Sequence, residues 1–275
     1  MHGSGDPPLS SDKTFILGLG AQKCGTTWLK RYLSGSPRFA RGITKEYHIW
    51  DTLHVPQIRP RGDTPRREPE DVTALRQAML ADPTRYFDYF SGLMTKPGKS
   101  LCADISPTYG ALSAEVLTGI SRSFADRGIA TRAIFLMRDP VERCWSAARA
   151  TAKRGPPPVA SGPEALIPLL SRSSRVRTAY DVTLAQLDAA FAPDAVYVGL
   201  YETMFRPETI ARLSHFAGVD FRPEFSETRV NGSPDTPDLD PACRRAVAQA
   251  YAGVYEAVAR RFPEVEAVWP GFRLL

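Results

Sequence analysis

Apolar residues along this chain fall into two alternating patterns. Short continuous runs rich in β-branched and aromatic residues occur at 14–19, 101–105, 133–137 and 196–200, and each is bounded by polar or glycine-bearing segments. Between them lie stretches in which apolar positions recur every three or four residues: 26–33, 70–81, 113–124, 140–153, 176–191, 207–217 and 241–261. The first pattern predicts buried strands and the second predicts amphipathic helices. Their alternation predicts an α/β, P-loop-like three-layer fold, with a central parallel sheet flanked by helices. Three Pro-, Arg- or Gly-rich stretches (50–69, 155–163 and 220–240) interrupt the pattern, and long connections of this kind often border binding sites. No internal repeat or composition break divides the chain. A disordered tail over residues 1–13 and one domain over 14–275 are expected.

Bulk properties narrow the picture only a little. The 275 residues are 43% hydrophobic and 24% charged, enough for a large core. Lys and Arg total 35 against 30 Asp and Glu, a net charge of +5 that suits an anionic ligand. No basic stripe with interleaved aromatics suggests a nucleic-acid partner. No apolar run reaches the roughly 20 residues of a membrane span. Cys24, Cys102, Cys144 and Cys243 form no CxxC pair and no metal-ligand spacing, so no metal is expected and a reducing, cytoplasmic setting is.

The chemistry concentrates where strands run into helices. After the first strand comes Gly20-Ala21-Gln22-Lys23-Cys24-Gly25-Thr26-Thr27-Trp28-Leu29. A strand, a glycine-bearing turn and a helix start aim backbone N–H groups and the positive helix end at an anion. Gly20 and Gly25 have the separation of the nucleotide-kinase pattern G-x-x-x-x-G-K-[ST], but Thr26 stands where its lysine belongs, and the lysine lies inside the loop at Lys23. The third strand ends in Arg138-Asp139-Pro140-Val141-Glu142-Arg143-Cys144-Trp145-Ser146. Asp139 reads as an N-cap, Pro140 as the first helical residue and Glu142 as the partner in a capping box. Val141, Trp145 and Ala148 should face inward, which leaves Arg138 and Ser146 for a phosphate. Arg143 reads first as a salt-bridging residue on a solvated helix face, and second as a ligand.

Together the two strings resemble the phosphate-binding motifs of sulfotransferases that use 3′-phosphoadenosine 5′-phosphosulfate (PAPS), roughly K-x-G-T-T-W-L and R-[DN]-P-x-x-R-x-x-S. The resemblance implies that Lys23 reaches the bridging oxygen of the donor and that the loop from Gln22 through Cys24 and Gly25 to Thr26 and Thr27 holds the 5′-phosphate. Trp28 would stack on adenine or serve the core, while Arg138 and Ser146 would take the 3′-phosphate. Lys45-Glu46-Tyr47-His48 is similar to the segment where glycosaminoglycan-type and related bacterial enzymes carry a Lys-Glu pair. Glu46 is then the implied base, with His48 its competitor, and a branch nearer the carbohydrate-type enzymes is implied. Asp104-Ile105-Ser106-Pro107-Thr108-Tyr109 resembles the family's E-x-S-P-x-Y turn, with Ile105 where those enzymes often carry lysine. Tyr201 is implied near adenine or in packing, and Arg229 lies where cytosolic members carry an R-K-G loop. The arginine groups at 59–67 (Arg59, Arg61, Arg66, Arg67) and 172–177 (Arg172, Arg175, Arg177) read as solvated surface; either, lining the cleft, would favour an acidic acceptor. The implied activity is sulfuryl transfer to a small-molecule, glycan or lipid acceptor. A P-loop kinase and a catalytically inactive nucleotide-binding module are the rival readings.

Overall fold

The computed structural model describes residues 12–55, 58, 69–152, 160–227 and 238–275. Four parallel strands, β1 (Thr14–Gly20), β2 (Leu101–Ile105), β3 (Ala130–Met137) and β4 (Val196–Leu200), form one sheet in the order β2-β1-β3-β4. All seven residues of β1 and all five of β2 are buried, as expected of a sheet covered on both faces. Their apolar runs are continuous rather than alternating for the same reason.

Helices α1 (Thr26–Ser34), α2 (Trp50–His54), α3 (Glu70–Ala81), α4 (Thr84–Leu93), α5 (Ala114–Ala125) and α6 (Pro140–Ala152) carry the chain between and around the first three strands. They are followed by α7 (Leu166–Leu169), α8 (Arg172–Val176), α9 (Tyr180–Ala190), α10 (Pro207–Ala217), α11 (Pro241–Ala250), α12 (Ala252–Arg261) and α13 (Val265–Val268). Two of the expected helices differ. The helix expected over 176–191 begins only at Tyr180, as α9, with the separate α8 ending at Val176 and the fully buried Thr178 between them; 241–261 splits at Tyr251, whose N–H closes the end of α11 onto Val247 and Ala248. Helix α4 lies outside the helical stretches that the pattern predicts. Its aromatic face drives it onto the sheet: Phe87 and Phe90 join Phe15 and Phe124, the last two stacked with ring centroids 4.1 Å apart.

The strand order carries the functional consequence. From β1 the chain steps to β2 on one side, then crosses to β3 on the other side of β1. The strand order therefore reverses between β1 and β3, and in open α/β sheets the ligand crevice lies at such a point, beyond the carboxyl ends of the strands. Both candidate phosphate loops leave from those two ends. The Ala21 N–H donates to the Leu136 carbonyl at 2.6 Å, which ties the start of one loop to the end of the neighbouring strand.

Asp104, at the end of β2, is the polar centre of this face. Its side chain is wholly buried and accepts from the Tyr86 hydroxyl (3.0 Å), the Tyr109 hydroxyl (2.8 Å), the Ser106 hydroxyl (2.7 Å) and the Tyr47 N–H (3.3 Å). Burial pushes its carboxyl up, against the downward pull of those bonds. Asp104→Ala should lower the unfolding free energy by about 3 kcal/mol or more, because four buried donors, three hydroxyls and one amide, lose an acceptor. Urea denaturation checks this; a loss under about 1 kcal/mol contradicts the role.

Candidate active site

The loop after β1 is shaped by its glycines. Gly20 and Gly25 both have positive φ, 110° and 91°, which disfavours any side chain. A Cβ on Gly20 would strike the Pro107 carbonyl, and one on Gly25 would strike Met204 and approach Tyr201. The close neighbours that demand glycine are thus protein atoms. Cys24 turns inward: its side chain is fully buried near the Tyr180 hydroxyl (3.8 Å), and its N–H closes a turn onto Ala21. Gln22, Lys23 and Thr27 remain partly exposed, while Thr26, at the first turn of α1, is buried.

Trp28 is 1% exposed, stacked at 5.1 Å on Tyr32, with its indole N–H donating to the Phe225 carbonyl at 3.2 Å. Of the two roles open to it, core packing describes this conformation. Tyr201 lies half-buried beneath the Arg138 guanidinium, 4.4 Å from ring centre to charge. Arg229 and the arginines of 59–67 fall outside the described residues. Arg172 and Arg175 are exposed. Arg177 and Thr108 line a small cavity of about 10 Å³, walled also by Leu19, Ala21, Ile58 and Val176.

At the end of β3, Asp139 does cap α6: its Oδ1 accepts the Glu142 N–H at 3.1 Å. The reciprocal half of the capping box is absent. The Asp139 N–H donates instead to Glu202 Oε1 (3.0 Å), and Glu142 pairs with Arg244 (2.6 Å) and Arg138 (3.6 Å). Burial raises Glu202 to about 7. Val141 and Trp145 are buried and Ala148 packs against the core, as the helical spacing predicts. Arg138 reaches towards the first loop, donating from Nη1 to the Lys23 carbonyl at 3.4 Å, and its buried Nε has no partner among the described residues. Ser146 is half-buried two turns further along α6. Arg143 corrects its first reading. It is 0% exposed and makes no ion pair among the described residues, so it is no part of a solvated face. The inward stripe of α6 is wider than its apolar positions alone indicate.

The Lys45–His48 segment forms a chain of alternating charge. Lys45 Nζ bonds the Thr26 and Thr27 hydroxyls (3.2 and 3.3 Å) and Glu46 Oε1 (2.7 Å). Glu46 Oε2 meets His48 Nε2 at 3.1 Å, and His48 Nδ1 meets Asp51 Oδ2 at 2.8 Å, while the Thr108 hydroxyl donates to Asp51. Glu46 and His48, rivals on sequence grounds, are hydrogen-bonded to each other. Burial disfavours the His48 cation, but Asp51 and Glu46 together hold its pKa at about 10. Burial likewise opposes the Glu46 anion, yet His48 and Lys45 hold it at about 2. The backbone is fixed equally firmly: Ser106 Oγ accepts the Tyr47 and His48 N–H groups, and Arg76 donates to the Tyr47 and Glu46 carbonyls. Asp51, Thr108 and Arg76 were not singled out from the sequence. The i, i+2, i+5 spacing of Glu46, His48 and Asp51 was the available signal for the first.

Among the described residues, no group of three His, Cys, Asp or Glu side chains is placed to hold a metal, and no helix is long and apolar enough to cross a membrane.

Because the folded His48 pKa lies above the ordinary 6.5, its stabilisation is complete below pH 6.5 and fades as pH rises through about 10. Glu46 works in the opposite sense, with its contribution present above about 4.5 and lost as pH falls towards 2. The His48 ring protons should therefore titrate near pH 10 by NMR, and His48→Gln should flatten the decline of stability between pH 6.5 and 10. A midpoint near 6.5 contradicts the ion chain.

No protein-family model matches the sequence, nor does any curated protein. Solved structures do. The crystal structure of a sulfotransferase from Alicyclobacillus acidocaldarius superposes with a TM-score of 0.59 at 21% identity, covering 90% of this chain and 94% of that one. The sulfotransferase domain of the Synechococcus PCC 7002 olefin synthase superposes with a TM-score of 0.52 at 17% identity, over 90% and 94%. The central parallel sheet and its flanking helices are thus the fold of these sulfotransferases.

Proposed function

We propose that the chain is a sulfotransferase that moves a sulfuryl group from PAPS to a hydroxyl or amine of a small-molecule, glycan or lipid acceptor. The observation that carries this reading is the meeting of the two strand-to-helix loops at the ends of adjacent strands, with Arg138 touching the Lys23 backbone. A nucleotide bearing phosphates at both ends of one ribose fits such a pair. The unpartnered Nε of Arg138, buried beside the first loop, is a donor of the right kind for an anion.

In this reading the N–H groups of the 21–27 segment, with the Thr26 and Thr27 hydroxyls, hold the 5′-phosphate at the start of α1. Arg138 and Ser146 hold the 3′-phosphate, and Tyr201 supports the Arg138 guanidinium from below. PAPS supplies the sulfuryl group and departs as 3′-phosphoadenosine 5′-phosphate. Lys23 neutralises charge on the departing phosphate oxygen, as a preorganised donor does at any developing oxyanion. Glu46 takes the acceptor proton. His48, held as a cation between two carboxylates, has no free lone pair to do so, and serves to orient Glu46. A carboxylate at about 2 is a weak base, and Lys45 offers the remedy, since its ammonium also reaches Thr26 and Thr27. Drawn to an anion held there, it would leave Glu46 more basic. The acceptor approaches on the Glu46 side, where Arg177, next to Thr108, favours a molecule with an acidic group. The carbohydrate-type affinity suggested by the Lys45-Glu46 pair remains part of this proposal, as does a reducing, cytoplasmic setting.

Transfer is measured with labelled donor against sugar, lipid, phenol and amine acceptors, neutral and acidic. Lys23→Ala should cut the rate roughly a hundredfold or more, the cost of about 3 kcal/mol of transition-state stabilisation, while sparing nucleotide affinity. Arg138→Ala should weaken binding of 3′-phosphoadenosine 5′-phosphate far more than that of its 3′-hydroxyl analogue; equal weakening refutes the 3′-phosphate assignment. Glu46→Gln should lose transfer by roughly a hundredfold with the nucleotide still bound. Full activity in that variant removes Glu46 as the base.

A further inference from the structure

We infer that Arg143 is a specificity-determining residue that never touches the ligand: a buried, uncompensated cation beneath the first phosphate loop, whose counter-charge is the bound nucleotide. The inference rests on the proposed nucleotide site and adds to it a source of selectivity for polyanions.

Arg143 sits on the inner side of α6 with no exposed surface. A guanidinium does not lose its proton at any ordinary pH, so this is a permanent buried charge. Its Nη2 donates to the Ser174 hydroxyl (2.5 Å), the Ser174 carbonyl (3.5 Å) and the Cys144 sulfur (3.0 Å), all neutral or weak acceptors. Its Nε and Nη1 have no partner, and no carboxylate pairs with it among the described residues. A buried cation so poorly satisfied costs stability, and an apolar residue of like volume would cost less. A packing role alone does not call for arginine here.

The location supplies the reason. Burial pushes the Cys24 thiol up to about 12, and Arg143 is the foremost charge opposing that rise, ahead of Arg138. The two guanidiniums sit at different depths: Arg138 is half-buried and bonded to the Lys23 carbonyl, whereas Arg143 is wholly buried and bonded to Ser174, and the Cys144 sulfur next to it lies 3.3 Å from the Ser174 hydroxyl and 3.8 Å from that of Thr178. The 174–180 segment connects them to the loop: the Thr178 hydroxyl donates to the Ser174 carbonyl at 2.7 Å, the Tyr180 N–H donates to the Thr178 carbonyl at 2.8 Å, and the Tyr180 hydroxyl donates to the Arg138 carbonyl at 2.9 Å and lies 3.8 Å from Cys24 Sγ. Water does not screen a charge so enclosed, and its field extends into the loop where phosphates are held. An anion in that loop is stabilised in proportion to its charge, and in turn relieves the cost of the buried cation.

The test is calorimetric binding of 3′-phosphoadenosine 5′-phosphate, adenosine 5′-monophosphate and adenosine to the unaltered protein, Arg143→Met and Arg143→Gln, with urea midpoints for each. Both variants should bind the doubly phosphorylated nucleotide about tenfold more weakly, the monophosphate less so, and adenosine unchanged. The midpoint of Arg143→Met should stay level or rise. Arg143→Gln keeps a hydrogen bond to Ser174 without the charge; affinity retained in that variant overturns the inference. So does an equal loss for all three ligands, or failure of both variants to fold, since either outcome makes Arg143 a structural residue. If the unaltered protein binds no nucleotide, the proposed function falls first and this inference with it. If it binds normally and only the charge dependence is missing, this inference alone fails.

Discussion

Parallel pairing of β1 with β3 is the constraint on which the rest of the molecule depends. Because β2 lies on the far side of β1, the chain must cross over, and the two loops that leave β1 and β3 share one crevice. Ladder bonds along both strands, and the Ala21 N–H on the Leu136 carbonyl, set the spacing of those loops without help from a ligand. Flexible surface loops would have to be ordered at a cost on each binding event; these are preset by the buried sheet.

Electrostatics follow from that scaffold. Lys23, Lys45, Arg138 and Arg143 cluster around the loop, and the nearby carboxylates are divided among these and other cations or drawn towards neutrality. Glu46 is shared between Lys45 and His48, Asp51 holds His48, Glu142 is shared between Arg138 and Arg244, and Glu202 is drawn towards neutrality by burial. What remains is a net positive crevice whose neutralisation awaits an anion. Asp104 contributes differently. Its ring of hydroxyl and amide donors fixes the Lys45–His48 segment, so the ion chain from Lys45 to Asp51 has a fixed origin on the sheet edge.

Much of this was legible in the sequence, for identifiable reasons. The strands at 101–105 and 196–200, and the helices at 70–81 and 207–217, coincide with their apolar patterns because polar or proline-bearing segments punctuate both ends. Both loops at the sheet ends could be read because glycine, proline and the cap at Asp139 restrict the backbone locally. Helix α4 could not be, since Thr84–Leu93 is rich in aromatic residues with weak helix propensity, and packing against Phe15 and Phe124 decides its state. The burial of Arg143 was equally hidden. A lone arginine at helical spacing reads as surface, and only the approach of α8, which brings Ser174 to it, reveals otherwise. The link between Glu46 and His48 was hidden for a related reason: it depends on a left-handed backbone at His48, φ 55°, which no residue pattern announces.

The account's central claim is that one adenosine carrying two phosphates bridges both strand ends. A crystal structure with 3′-phosphoadenosine 5′-phosphate tests it most directly. The 5′-phosphate should lie against the backbone between Ala21 and Thr27, and the 3′-phosphate of the same molecule against Arg138. Density for the two phosphates in any other pair of sites, or in only one of these, would contradict it.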